Sequence, residues 1–236
     1  TEMSSKVKVI SFVGRGNIGK SVSVEMIGRY LAGQGKKVII IDMDTQAGTT
    51  GRLGTGWNQL HIGHVLTGQA GLFEAMRGVQ GSEMVLVGSS PDLDEFKAAA
   101  ITDPFRLRRL LAELGDCYVL IDTPGSADEF AQIAVLASNL VVGATDCNLD
   151  SLARATAMAK LVNEASQAGT DVLFYGYLVT KVTERSSLHR DALATITGNG
   201  TVIGLIKEDN SKRRATYFRK AYADLTAKHF ADWIRL

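Results

Sequence analysis

The residues best placed to do chemistry begin at Gly14. From there the chain reads GRGNIGKS through Ser21, a G-x-x-x-x-G-K-S spacing. Its glycines let backbone N–H groups turn inward, Lys20 supplies a point charge, and the Ser21 hydroxyl can reach Mg²⁺. Gly14, Arg15, Gly16, Asn17, Ile18, Gly19, Lys20, Ser21 and Val22 are therefore candidates for cradling the phosphates of a nucleotide. Two further runs end in carboxylates. IIIDMDTQAGTT places Asp42 and Asp44 just past an apolar stretch, where strand alternation turns both to one side. YVLIDTPG leads four apolar residues into Asp122, and Thr123, Pro124 and Gly125 then make a turn suited to sensing a γ-phosphate. Carboxylates beside a phosphate site need a cation or a water to act on, so Mg²⁺ and a nucleophilic water are the expected partners.

These groups need strands and helices to position them. Apolar runs predict strands over 7–13, 37–42, 84–88, 117–122, 139–145, 172–180 and 202–206. Helical patterns fall between them over 20–33, 104–114, 127–137, 150–167 and 187–195, with a helical tail from about 212. Continuous apolar strands separated by helices imply an α/β fold, a mostly parallel twisted sheet with helices on both faces. In such sheets ligands bind at the carboxyl ends of strands. The glycine-rich stretch 48–81 reads as loops with short helices such as 71–77. A length of 236 residues and 45% apolar content suit one domain over 1–236.

Composition excludes some classes. A net charge of +1 rules out a uniformly basic protein, so any nucleic-acid contact must come from a local patch. Cys117 and Cys147 show no metal spacing and read as buried free thiols of a reducing compartment. His61, His64, His189 and His229 show no ligand spacing either. No apolar run approaches the roughly 20 residues of a membrane span, and the first residues carry no apolar segment, so a soluble, cytoplasmic protein is expected.

GRGNIGKS, IIIDMDTQAGTT and LIDTPGSAD together resemble the deviant Walker A P-loop ATPases of the ParA/MinD group, which usually read KGGxGK[ST], then DxDPQ, then DxPP. MVLVGSSPDLDEF and CNLDSLARATAMAKLV are similar to further segments of that family, so the resemblance spans nearly the whole chain. It implies ATP and Mg²⁺ as ligands, with Lys20 binding phosphate, Ser21 as a Mg²⁺ ligand, Asp44 orienting the attacking water, and Asp42 and Asp122 in the outer Mg²⁺ sphere. It also implies a homodimer closed by ATP, nonspecific binding of double-stranded DNA at the nucleoid, and a ParB-like or adaptor partner that stimulates slow hydrolysis. The task would be partition or positioning of a plasmid or similar cargo. An accessory ATPase of conjugative transfer or of membrane-associated positioning is the alternative. Three positions depart from the family pattern. Arg15 stands where the signature lysine reaches across the dimer, keeping the charge in a planar fork; Asn17 replaces the second glycine and tolerates a left-handed backbone; Thr45 replaces a proline.

GxxxxGKS with DTPG also occurs in GTPases, whose NKxD motif reads guanine. The corresponding segment here is Thr180-Lys181-Val182-Thr183, without the Asn or the Asp, which favours adenine. Thr180 and Lys181 count among the nucleotide-contacting candidates. Small-molecule ligases of the same superfamily would need a separate substrate motif, and none is visible. Toward the end, Lys212, Arg213, Arg214, Arg219 and Lys220 fall within nine residues, either a solvated helix face or a phosphate-binding patch for DNA. Tyr217 and Phe218 read as packing residues. In the last helix Tyr222, Leu225, His229, Trp233 and Leu236 recur at helical spacing; its mixed charges favour packing on the sheet over the membrane.

Overall fold

The computed structural model describes residues 7–54, 60–183, 187–208 and 214–235. Strand β1 (Lys8–Val13) leads into helix α1 (Lys20–Gly33), β2 (Val38–Asp42) and three short helices, α2 (Gly48–Leu53), α3 (Ile62–Thr67) and α4 (Leu72–Ala75). Then come β3 (Met76–Gly78), β4 (Met84–Val87), a 3-10 turn (Leu93–Phe96), α5 (Lys97–Ala100), α6 (Arg106–Ala112), β5 (Tyr118–Asp122) and α7 (Glu129–Ala137). The chain continues through β6 (Leu140–Thr145), α8 (Leu149–Gln167), β7 (Leu173–Val182), α9 (Ser187–Asn199), β8 (Val202–Lys207) and α10 (Arg214–Arg235).

The strands form one sheet in the order β3-β4-β2-β5-β1-β6-β7-β8, parallel throughout except for the antiparallel β3–β4 edge. Its central strands are buried on both faces, which is why they read as unbroken apolar runs. Ile39, Ile41, Val119 and Ile121 face a core closed by α3, α6 and α7. The alternate residues Ile10, Phe12, Ile40 and Leu120 face a second core closed by α1 and α10.

Helix α10 packs on α1 and β8. Tyr222, Leu225 and Phe230 are buried there, and the Tyr222 and Ser23 hydroxyls are bonded at 2.8 Å. Tyr217 and Phe218 pack against the same core from its edge. The side chains of Trp233 and Ile234, and Leu236 altogether, lie outside the described residues. Two expectations are corrected. The stretch 71–77 is helical only as far as Ala75, because Met76–Gly78 pairs with Val85–Val87 as an edge strand. Cys117 is buried but Cys147, just past the end of β6, is half-buried. Among the described residues no helix is long and apolar enough to cross a membrane.

Candidate nucleotide site

Strands β2, β5 and β1 are neighbours in the middle of the sheet, so the three motifs converge at their carboxyl ends. Asp42 pairs with Asp122 across β2 and β5, and Phe12 with Asp122 across β1 and β5. The loop after β1 turns on Gly14 (φ 135°), where a Cβ would lie 2.1 Å from the Ala144 carbonyl oxygen, so only glycine fits. Asn17 adopts a left-handed backbone at φ 61°, the conformation its short polar side chain tolerates. The buried Lys20 ammonium donates to the Gly14 and Arg15 carbonyls, each at 2.9 Å. Burial pulls its pKa down, against the opposing pull of Asp122 and Asp44.

Below the loop lies a pair of fully buried carboxylates. Asp122 Oδ2 accepts hydrogen bonds from Ser21 Oγ at 2.6 Å and Thr49 Oγ1 at 2.7 Å. Its Oδ1 is buried with no hydrogen-bond partner among the described residues. Both oxygens of Asp42 are engaged: Oδ1 accepts from the Asp44 N–H at 3.1 Å, and Oδ2 from the Thr50 N–H and hydroxyl, both at 2.8 Å. Burial raises the pKa of each carboxyl, and with Asp122 alongside it Asp42 is pushed up to about 7. A serine hydroxyl beside a buried, open carboxylate oxygen is a hard-oxygen donor set that fits Mg²⁺. Asp122 can also serve it through water, while Asp42 holds the start of α2 in place.

Asp44 is half-buried and its Oδ1 accepts the Gln46 N–H at 3.0 Å. It lines a cleft of about 980 Å³ together with Gly16, Lys20, Ser21, Gly125, Lys97 and Lys181. Arg15 is exposed and lies outside that lining. The turn after β5 meets the phosphate loop directly: a Cβ on Gly125 would lie 2.5 Å from the Gly16 nitrogen. From the other side, Thr180 Oγ1 donates to the Ile18 carbonyl and, at 3.3 Å, to that of Thr145, and Lys181 Nζ donates to the Asn17 carbonyl at 2.5 Å.

Sequence reasoning missed Thr49 and Thr50, which end the second motif and grip the carboxylates, and Lys97. The Lys97 ammonium reaches Asp94 at 3.0 Å and Asp128 at 3.2 Å, tying the 3-10 turn to the start of α7. Of the basic stretch, Lys212 and Arg213 lie outside the described residues, as does the Arg214 side chain; Arg219 and Lys220 are exposed on α10.

A phosphate loop closing a parallel strand, with carboxylates on neighbouring strand ends, defines a P-loop nucleotide-binding protein. The family model described as AAA domain (AAA_31) matches residues 7–173. The chain belongs to this family, the ParA/MinD type of P-loop ATPase. Among curated proteins it is 27% identical over 197 residues to the chromosome-partitioning ATPase Soj of Treponema pallidum, covering 80% of this chain and 78% of that one. It is 28% identical over 210 residues to an uncharacterized ATP-binding protein of Methanocaldococcus jannaschii, with coverage of 87% and 75%. Among solved structures, a plasmid partition protein of Borrelia burgdorferi superposes with a TM-score of 0.80 at 21% identity over 94% of this chain and 99% of that one. Cobyrinic acid a,c-diamide synthase of Mycobacterium smegmatis, with bound ADP and magnesium, gives a TM-score of 0.81 at 23% identity over 95% of both chains. At these identities the structures establish the shared fold.

Proposed function

We propose that this chain is an ATP-hydrolysing switch of the partition type, which binds ATP with Mg²⁺, dimerises around it and then holds DNA without sequence preference. The observation that carries this reading is the buried, open Oδ1 of Asp122, set beside Ser21 at the foot of the phosphate loop. An unpaired buried carboxylate oxygen is costly, and a cation is what relieves it. Mg²⁺, when bound, neutralises charge on the β- and γ-phosphates.

The chain's own groups do the rest. Loop N–H groups and the N-terminus of α1 hold the phosphates, and Lys20 adds a charge held at the loop by two carbonyls. Asp44, at the cleft wall, orients the attacking water. Gly125, in contact with Gly16, couples the γ-phosphate to the turn after β5. Arg15, exposed beside the loop, reaches the phosphates of the second subunit as an arginine finger does. Arg219 and Lys220 contribute to a phosphate-binding face on α10, doubled by dimerisation. The relatives named for chromosome partitioning support a task in moving DNA cargo; an adaptor that accelerates hydrolysis completes the proposed cycle.

The test is fluorescence anisotropy of a random-sequence duplex with ATP, ADP or no nucleotide at two salt concentrations, with Asp44→Ala alongside to hold the ATP state. ATP-specific, salt-sensitive binding that Asp44→Ala strengthens is expected. Affinity indifferent to nucleotide would remove DNA as the matrix.

A further inference from the structure

A second groove, of about 1070 Å³, runs between α1, α2 and α10 and, among the described residues, shares only Val22 with the nucleotide cleft. Its floor is apolar, with Met26, Phe218 and Ala223, and its rim carries Arg29, Arg52 and Arg219. Among the described lining residues one carboxylate answers these cations. Glu25, its side chain 8% exposed, accepts Arg29 Nε at 3.0 Å on one oxygen and Arg52 Nε and Nη2 at 2.8 and 2.6 Å on the other. Among the described residues that line it, three arginines face one glutamate, so this lining is positive. Arg29 spends only its Nε on Glu25, and a guanidinium has five N–H donors. The Arg29 and Arg52 side chains stay 40% and 42% exposed, so the remaining donors are open to an incoming anion.

The shape and the floor decide which anion. A phosphate backbone gains nothing from an apolar floor and needs a surface it can lie across, whereas a helical peptide gains from both floor and rim. We infer that this groove docks an acidic amphipathic segment of a partner protein, with apolar side chains on Met26 and Phe218 and carboxylates on Arg29 and on Arg219, for which the segment competes with DNA. Docking of this kind does not depend on the nucleotide reading, although groove and cleft share Val22 and the helices α1 and α2. Arg52 nevertheless belongs to α2, the helix whose Thr49 and Thr50 hold Asp122 and Asp42, so an occupant here bears on the element that floors the cleft.

The experiment is to pan a displayed library of random peptides, about 15 residues long, against the nucleotide-free full chain, then measure synthetic copies of the enriched sequences by anisotropy. Enriched peptides should carry Asp or Glu beside apolar residues at helical spacing. Their affinity should fall on the order of tenfold with Arg29→Ala, recover in part with Arg29→Lys, and fall similarly with Arg219→Ala. Should Arg29→Ala fold poorly by circular dichroism, Arg29→Gln replaces it, keeping a hydrogen bond to Glu25 without the charge. Neutral or basic winners, indifference to Arg29 or no enrichment would overturn the proposal. Loss of duplex binding with Arg29→Ala, with no acidic peptide enriched, would overturn it in favour of DNA.

Discussion

Two strand ends touch the phosphate loop from opposite sides and use their polar groups differently. At the end of β7, Thr180 and Lys181 spend hydroxyl and ammonium on loop carbonyls, so both side chains are closed onto the backbone they support. At the end of β5, Asp122 takes two hydroxyls on one oxygen and leaves the other buried without a partner among the described residues. Closed groups fix the loop's shape; the open one is the oxygen that we propose a cation completes. A mutation at β5 should therefore separate nucleotide chemistry from stability, and one at β7 should not.

The largest effect should come from the lysine of the loop itself. Lys20→Ala removes the loop's buried cation, and ATP affinity measured by calorimetry should fall about 100-fold, the scale of losing charge-assisted bonds to phosphate. Next is Asp122→Asn. Mg²⁺ should lose about tenfold of its contribution to nucleotide affinity, while the thermal midpoint of the nucleotide-free protein holds or rises, because a buried charge beside Asp42 has gone. A lowered midpoint with unchanged Mg²⁺ dependence would put β5 in the same class as β7. Thr180→Val leaves the Ile18 and Thr145 carbonyls short of a donor and should cost about 1–3 kcal/mol of stability in denaturant melts. It should weaken nucleotide binding equally with and without Mg²⁺. Smallest is Lys181→Met: its exposed ammonium makes one bond to the loop, and stability should change by less than about 0.5 kcal/mol.

The contrast also explains what the sequence disclosed. Gly14, Lys20 and Ser21 announce themselves because their spacing is local, and the central strands because burial on both faces makes them continuously apolar. Strand order is not written locally, and β3 was obscured because three residues show neither period. Thr49 escaped notice for a different reason. A hydroxyl's partner depends on what the fold brings near it, and Asp122 lies 73 residues away in the chain. Short helices such as α2, with two glycines in six residues, likewise form through their tertiary anchors and not through propensity.

The contact between Gly125 and Gly16 has a mechanical meaning. Where side chains separate two elements they act as a compliant layer, changing rotamer to absorb small displacements before the backbone must follow. Here main chain meets main chain, with no room for even a methyl group. A shift of the phosphate loop toward the turn after β5 has no slack to take up, so the two loops move in step.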